Sequence, residues 1–310
     1  MAKVFAMFPG QGSQTVGMGK DLLEAFPGIA PVFEEAEDAA GIPIRKLCFE
    51  GPMEELTQTA NTQPCILATS VAVWQVLKNE TGIDPALYAG HSLGEYPALV
   101  ASGKLALARA AMLVRRRGEA MQRAVPAGVG AMAAVLKVPE AELEEKCRAH
   151  SSADGQVCIA NYNSPDQLVV AGHATAVASL GEELSAAKVR VVPLPVSAPF
   201  HSPLMAPARD EMQGLLQDTE IQSNDAAIIA NVSGEVVRDY STNLLIEQID
   251  HPVRWTKTLQ TVQDEGAEVC IEIGPGKVLF GLARKTLPRK SVQLLATEDI
   301  RGAIEKINSL

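Results

Sequence analysis

Residues 87–99 read LYAGHSLGEYPAL, a short apolar run that ends in Gly90-His91-Ser92-Leu93-Gly94 and passes straight into a helical pattern. A G-x-S-x-G sequence between a strand and a helix demands a sharp, strained turn, and glycines on either side keep side chains clear of it. Such a turn is built at the carboxyl end of a strand in an open α/β sheet, where these sheets place their ligands. Ser92 is therefore a candidate nucleophile. The N–H of Leu93, in the first turn of the following helix, is a candidate oxyanion donor. A serine that only caps the helix N-terminus fits the same position. His91 cannot easily turn back onto its neighbour's hydroxyl, and reads as a structural residue bonded to an adjacent polar side chain.

The rest of the chain agrees with an α/β fold. KVFAMFP (3–9) reads as a buried strand ending in a Pro-Gly turn, with helical patterns at 19–26, 28–40, 63–79, 93–102 and 105–124. Strands alternating with helices indicate a mainly parallel sheet covered on both faces. The middle changes rhythm. A strand at 129–138, a helix at 139–150, two strands around the turn signal Asn163-Ser164-Pro165, a helix and a closing strand at 188–196 give β-α-β-β-α-β, the ferredoxin-like pattern. The expected organisation is a small domain, 127–197, inserted into a large discontinuous domain, 1–126 and 198–310. Beyond it, helices are expected at 204–217 and near 242–249, with a strand at 226–232. AEVCIEIGPGKVLFGL then gives a strand, a Gly-Pro-Gly turn and a helix, before a last strand and helix.

Composition narrows the function. Among 310 residues, 47% are hydrophobic and 21% charged, which excludes disordered and collagen-like classes. A net charge of -10 argues against general affinity for nucleic acid or anionic membrane. The five cysteines are scattered, with no C-x-x-C, so they read as reduced thiols without a disulfide frame or metal site. The apolar run at the start is broken at once by Pro9 and Gly10, and no stretch reaches the roughly 18 apolar residues of a membrane span. A cytoplasmic location follows as the expectation.

A serine nucleophile needs a base. His150 and His173 flank helices of the middle segment and read as surface residues, and His251 precedes Pro252 in a loop. His201, in VSAPFHSPLM, sits where the chain leaves the small domain, with Ser202 as N-cap and Pro203 at the first helical position. It is the candidate base, against the plainer reading of a satisfied loop histidine. No acidic residue stands out to orient it, so a backbone carbonyl or an amide is a candidate instead. In MLVRRRGEAMQ (112–122), Arg117 alone shares the stripe of Ala110, Val114 and Met121, with Gly118 leaving room beside it. A guanidinium on an apolar face needs an anion, either a protein carboxylate or a ligand. FPGQGSQTVGMG (8–19) lacks the spacing of a phosphate loop and suits a second oxyanion donor, the N–H of Gln11.

With these residues in view the chain resembles the malonyl-CoA:acyl carrier protein transacylases of type II fatty acid synthesis. The likeness runs end to end: FPGQGSQ, TQP, GHSLGEY, RRRGEAMQ, GAMAAV, NYNSPDQLVVAG, PFHSPLM, HPVRW and EIGPGKVLFGL, in that order. The resemblance implies an α/β-hydrolase-like large domain with the small insert. It makes Ser92 the acylated nucleophile, His201 its base, Gln11 and Leu93 the oxyanion donors and Arg117 the grip on the malonyl carboxylate. It also implies a main-chain carbonyl, mapped to Gln248, that orients His201, and Phe200 agrees with the malonyl-type pattern. The implied substrates are malonyl-CoA and acyl carrier protein, with no cofactor beyond the coenzyme A thioester, and the chain is expected to act as a monomer. A serine esterase or thioesterase, or a non-catalytic module that docks carrier protein, are the alternatives. Because carrier protein is acidic, Arg115, Arg116, Arg284, Lys285, Arg289 and Lys290 are candidate docking residues.

Overall fold

The computed structural model describes residues 2–196, 198–288 and 292–310. Two sheets organise it. The first has six strands in the order β10-β9-β1-β2-β7-β8, numbered along the chain. They are β1 (Val4–Phe8), β2 (Leu87–Gly90), β7 (Ile228–Ile229), β8 (Val236–Val237), β9 (Val269–Glu272) and β10 (Gln293–Ala296). All neighbours are parallel except the β7–β8 pair. The fold is thus α/β with a mostly parallel sheet. β1 is buried along its whole length because both faces are covered. Val4, Ala6 and Phe8 join a core with helices Ala30–Ala40, Thr59–Thr81 and Leu107–Arg123, whereas Phe5 and Met7 face helices Trp255–Asp264 and Val278–Thr286.

The second sheet is antiparallel, in the order β4-β5-β3-β6, from β3 (Gly130–Leu136), β4 (Val157–Ser164), β5 (Gln167–His173) and β6 (Arg190–Pro193). With helices Glu140–Ala149 and Ala174–Ala186 the element order is the β-α-β-β-α-β read from the sequence. One face packs Val135, Ile159 and Val170 against Leu143, Leu180 and Leu184 of its own helices. The other face gives Met132, Ala134, Val169 and Ala171 to the core of the large sheet. β4 is also tied by backbone bonds to the loop after 248: Tyr162 N–H donates to Val253 O and Val253 N–H to Ala160 O, both 2.9 Å. β4 runs on through Ser164, so the turn falls at residues 165–166, one step later than the Asn163-Ser164-Pro165 signal suggests.

Several elements depart from the sequence expectations. Helix Thr59–Thr81 starts four residues early, with Pro64 inside its first turns. Pro64 has no N–H, so the Ala60 carbonyl one turn back is left without a helical donor, and Arg115 Nη1 donates to it at 3.1 Å. Short helices Ile44–Glu50 and Met53–Leu56, helix Trp255–Asp264 and strand β8 were not foreseen, and β7 holds two residues where 226–232 was expected. The Trp255 helix is rich in threonine, a weak helix former, and is held by burial of Trp255, Leu259 and Val262 on one face. Among the described residues no helix is long and apolar enough to cross a membrane.

Candidate active site

β2 ends at Gly90 and the chain turns through Ser92 at φ 52 into a 3-10 turn, Ser92–Gly94, and helix Glu95–Ala101. The turn is closed by contact that only glycine permits. A Cβ on Gly90 would lie 1.9 Å from the Gly94 carbonyl carbon, and one on Gly94 would lie 2.0 Å from Phe8 O of β1. Asn231, just after β7, clamps both sides of the strained residue: its Oδ1 accepts from Ser92 N–H at 2.7 Å and its Nδ2 donates to Gly90 O at 2.6 Å.

Ser92 is not a helix cap, since neither the 3-10 turn nor the helix after it has a side-chain cap bond. Its Oγ instead lies 2.7 Å from His201 Nε2. His201 is also at positive φ, 58, and is 3% exposed. Its Nδ1–H donates to Gln248 O at 2.9 Å, with His251 O at 3.2 Å. That bond fixes the tautomer and leaves the Nε2 lone pair for the serine proton. Burial, then the positive charge of Arg117, pushes the His201 pKa down to about 3, so the ring is a neutral acceptor. Pro203 opens a 3-10 turn as expected, but Ser202 Oγ donates to Pro199 O at 2.6 Å rather than capping it.

Arg117 is 1% exposed. Nη1 donates to Gln63 Oε1 at 2.9 Å, and Nη2 donates to Gln248 Oε1 at 2.8 Å and to Ser92 Oγ at 3.2 Å. Nε has no partner, and among the described residues no carboxylate oxygen lies within ion-pair distance of the guanidinium. Desolvation therefore lowers its pKa. The glycine beside it is needed: a Cβ on Gly118 would sit 2.6 Å from Ala60 Cα, where two helices cross. Ser92, His201, Arg117, Gln11 and Leu93 line one cleft of about 120 Å³. The Gln11 N–H has no acceptor among the described residues.

The other histidines are occupied elsewhere. His91 Nε2 donates to Asn163 Oδ1 of β4 at 2.7 Å and its ring lies 5.7 Å from Trp255, which makes it a tie between the sheets. His150 bonds Ser179 and Glu183, and His173 Nδ1 accepts from Gln156 N–H. The basic candidates separate. Arg115 is not a free surface charge: it bonds Ala60 O, Asn61 Oδ1 and Glu119. Arg116 pairs with Glu119 but stays exposed, Arg284 and Lys285 are exposed, and Arg289 and Lys290 lie outside the described residues. Among the described residues no cluster of His, Cys, Asp or Glu is arranged to hold a metal.

Four residues of the site escaped sequence reasoning about roles: Gln63, Glu95, Asn231 and the side chain of Gln248. Gln63 precedes Pro64 in TQP and Glu95 follows the serine turn in GHSLGEY, so both lay inside recognised motifs. Nothing in the residues around Asn231 points to a serine 139 positions away.

The acyl transferase domain family matches residues 4–306. The chain belongs to this family. It is 44% identical to the malonyl CoA-acyl carrier protein transacylase of Bacillus subtilis strain 168, over 99% of this chain and 98% of that protein. It is 42% identical to the transacylase of the same name from Escherichia coli K12, over 92% and 93%. Among solved structures, the malonyl-CoA:acyl carrier protein transacylase of Xanthomonas oryzae pv. oryzae superposes with TM-score 0.94 at 41% identity, covering 99% of this chain and 98% of that one. A malonyl-transacylase in complex with its type II PKS acyl-carrier protein gives TM-score 0.92 at 38% identity, covering 98% and 100%.

Proposed function

We propose that this acyltransferase moves a malonyl group from coenzyme A to the phosphopantetheine thiol of acyl carrier protein, for fatty acid synthesis, through a malonyl–Ser92 ester. The observation that carries the reading is the meeting at one hydroxyl of a neutral imidazole and a buried guanidinium that has no carboxylate of its own. A base beside the oxygen supports nucleophilic chemistry, and an uncompensated cation beside the same oxygen supports an acyl group that brings an anion.

Ser92 Oγ attacks the thioester carbonyl as its proton passes to His201 Nε2. The Gln11 and Leu93 N–H groups receive the developing oxyanion, each worth about 3–4 kcal/mol by analogy with other oxyanion holes. Collapse expels the coenzyme A thiol, which takes the proton from His201 and leaves the ester. The carrier thiol then enters, gives its proton to His201 and attacks the ester carbonyl. Ser92 leaves with that proton restored, so the kinetics are ping-pong. Gln248 O holds His201 through Nδ1 in both halves. Arg117 grips the malonyl carboxylate throughout.

The two sheets support the finer architecture: an α/β-hydrolase-like large domain from 1–126 and 198–310 with a ferredoxin-like insert at 127–197. We assign no cofactor beyond the coenzyme A thioester and a cytoplasmic setting. Arg116, Arg284 and Lys285 are retained as the docking candidates for the acidic carrier. The test is product analysis with malonyl-CoA in the presence and absence of phosphopantetheinylated carrier. Malonyl-carrier as the main product supports the assignment, and free malonate formed at the same rate with or without carrier overturns it in favour of a hydrolase.

A further inference from the structure

Glu95 is fully buried three residues beyond the nucleophile, and the mechanism above does not use it. Every polar contact it makes is to a donor. Oε1 accepts from Tyr240 Oη–H at 2.8 Å and from Asn231 N–H at 3.3 Å, and Oε2 accepts from Gln248 Nε2. Both amides lead back to the reacting groups. Asn231 uses its side chain to hold the Ser92 N–H and the Gly90 carbonyl. Gln248 uses Oε1 to accept from Arg117 Nη2 and Nε2 to donate to Ser92 O. A continuous relay therefore runs from Arg117 through Gln248, Glu95 and Asn231 to the backbone of Ser92.

We infer that Glu95 is a positioning residue that registers the carboxylate-binding guanidinium with the nucleophile turn, by dictating which end of the Gln248 amide faces Arg117. This rests on the reading of Arg117 as the malonyl receptor. The reason is hydrogen-bond parity. An amide offers an acceptor at one end and donors at the other, whereas a carboxylate only accepts. Burial pushes the Glu95 pKa up to about 7, while the Tyr240, Gln248 and Asn231 donors around it favour the ionised form. With the carboxylate ionised, Gln248 must aim its NH2 at position 95 and its Oε1 at Arg117. That is the only orientation in which both bonds are made. Burial lowers the Arg117 pKa, and the nearby Glu95 charge opposes that through space, with no anion in direct contact.

Glu95→Gln isolates the effect. Two donors converge on the Oε1 position and one on Oε2, so the new carbonyl oxygen takes the Oε1 side and keeps Asn231 and the Ser92 turn in place. Its NH2 then confronts the NH2 of Gln248. The Gln248 amide turns over, so Arg117 faces donors where it had an acceptor and Ser92 O loses the Nε2 donor, while Asn231 still holds the Ser92 N–H. The experiment compares kcat and KM for malonyl-CoA and acetyl-CoA with acyl carrier protein as acceptor, in wild type and Glu95→Gln, each normalised to folded protein by circular dichroism. The expected result is a malonyl-over-acetyl preference reduced at least about tenfold, carried mainly by a higher malonyl KM, with a much smaller loss for acetyl transfer from the missing bond to Ser92 O. Equal losses for the two thioesters, as general destabilisation would give, overturn the proposal, and so does an unchanged preference. If Glu95→Gln does not fold, Glu95→Met, which removes the acceptor that dictates the orientation of the Gln248 amide, is expected to give the same selective loss. Equal losses in that variant overturn the proposal too. A wild type that shows no preference for malonyl overturns the reading of Arg117, and this inference with it, which keeps the two failures apart.

Discussion

Replacing Arg117 by methionine separates what the guanidinium does for substrate from what it does for the fold. Methionine is unbranched and flexible enough to occupy the same channel between helices. In the free protein the guanidinium has an unpartnered Nε and an Nη2 that reaches only the Ser92 hydroxyl and the Gln248 amide, and on the proposed reading a malonyl carboxylate pairs with this guanidinium through two hydrogen bonds. Two hydrogen bonds between charged partners contribute about 1.5–3 kcal/mol each, so about 3–6 kcal/mol of malonyl binding is at stake. At 1.4 kcal/mol per factor of ten, kcat/KM for malonyl-CoA should fall about 10²- to 10⁴-fold. Acetyl-CoA brings no carboxylate and should lose little. The fold should tolerate the change: Gln63 Oε1 and Gln248 Oε1 lose a donor, at about 1–3 kcal/mol each. A buried cation without a carboxylate partner disappears at the same time, which offsets a cost of several kcal/mol. The assay is steady-state kcat/KM for both thioesters, with urea unfolding of the same preparations. A malonyl-to-acetyl ratio within about threefold of wild type, in folded protein, would refute the reasoning.

Two further outcomes follow from the turn and the base. Gly94→Ala forces a Cβ to 2.0 Å from Phe8 O, whereas Gly28 has nothing within 4 Å of the equivalent position. Gly94→Ala should therefore cost at least the upper end of about 1–3 kcal/mol in urea unfolding, and Gly28→Ala less than that; equal costs would contradict the close-approach argument. Desolvation disfavours the His201 imidazolium and lowers its pKa to about 3, so the base stays neutral as pH falls through the ordinary imidazole range. Single-turnover acylation of Ser92 should hold between pH 6 and pH 5, whereas a loss approaching tenfold in that interval would mean a base with the unperturbed pKa of about 6.5.

The parts of this site that were legible in the sequence are those written in local pattern. Ser92 is announced by glycines that a strand-to-helix turn requires, and Arg117 by a helical stripe on which it is the one charge. Both structural arguments depend only on neighbours within two turns of chain. His201 was legible as a candidate base from its place in VSAPFHSPLM, but its orientation was not, because the group that holds Nδ1 is a main-chain oxygen, and a carbonyl leaves no mark on residue identity. Gln248 came from family resemblance, and its side-chain role came from neither source. Asn231 and Glu95 meet Ser92 and Gln248 across long stretches of chain, where only the folded sheet order brings β7 beside β2. Secondary structure failed in the same way. The Trp255 helix is held by tertiary burial against its threonine content, and β7 keeps only the two residues, Ile228 and Ile229, that pair with β8.

Mass spectrometry of the intact protein after brief mixing with malonyl-CoA, in the absence of acyl carrier protein, tests the central claim most directly. Wild type should gain the mass of one malonyl group, lose it when carrier thiol is added, and gain nothing when Ser92 is replaced by alanine. A Ser92→Ala protein that still acquires the adduct, or a wild type that turns over malonyl-CoA without ever carrying it, would contradict the account.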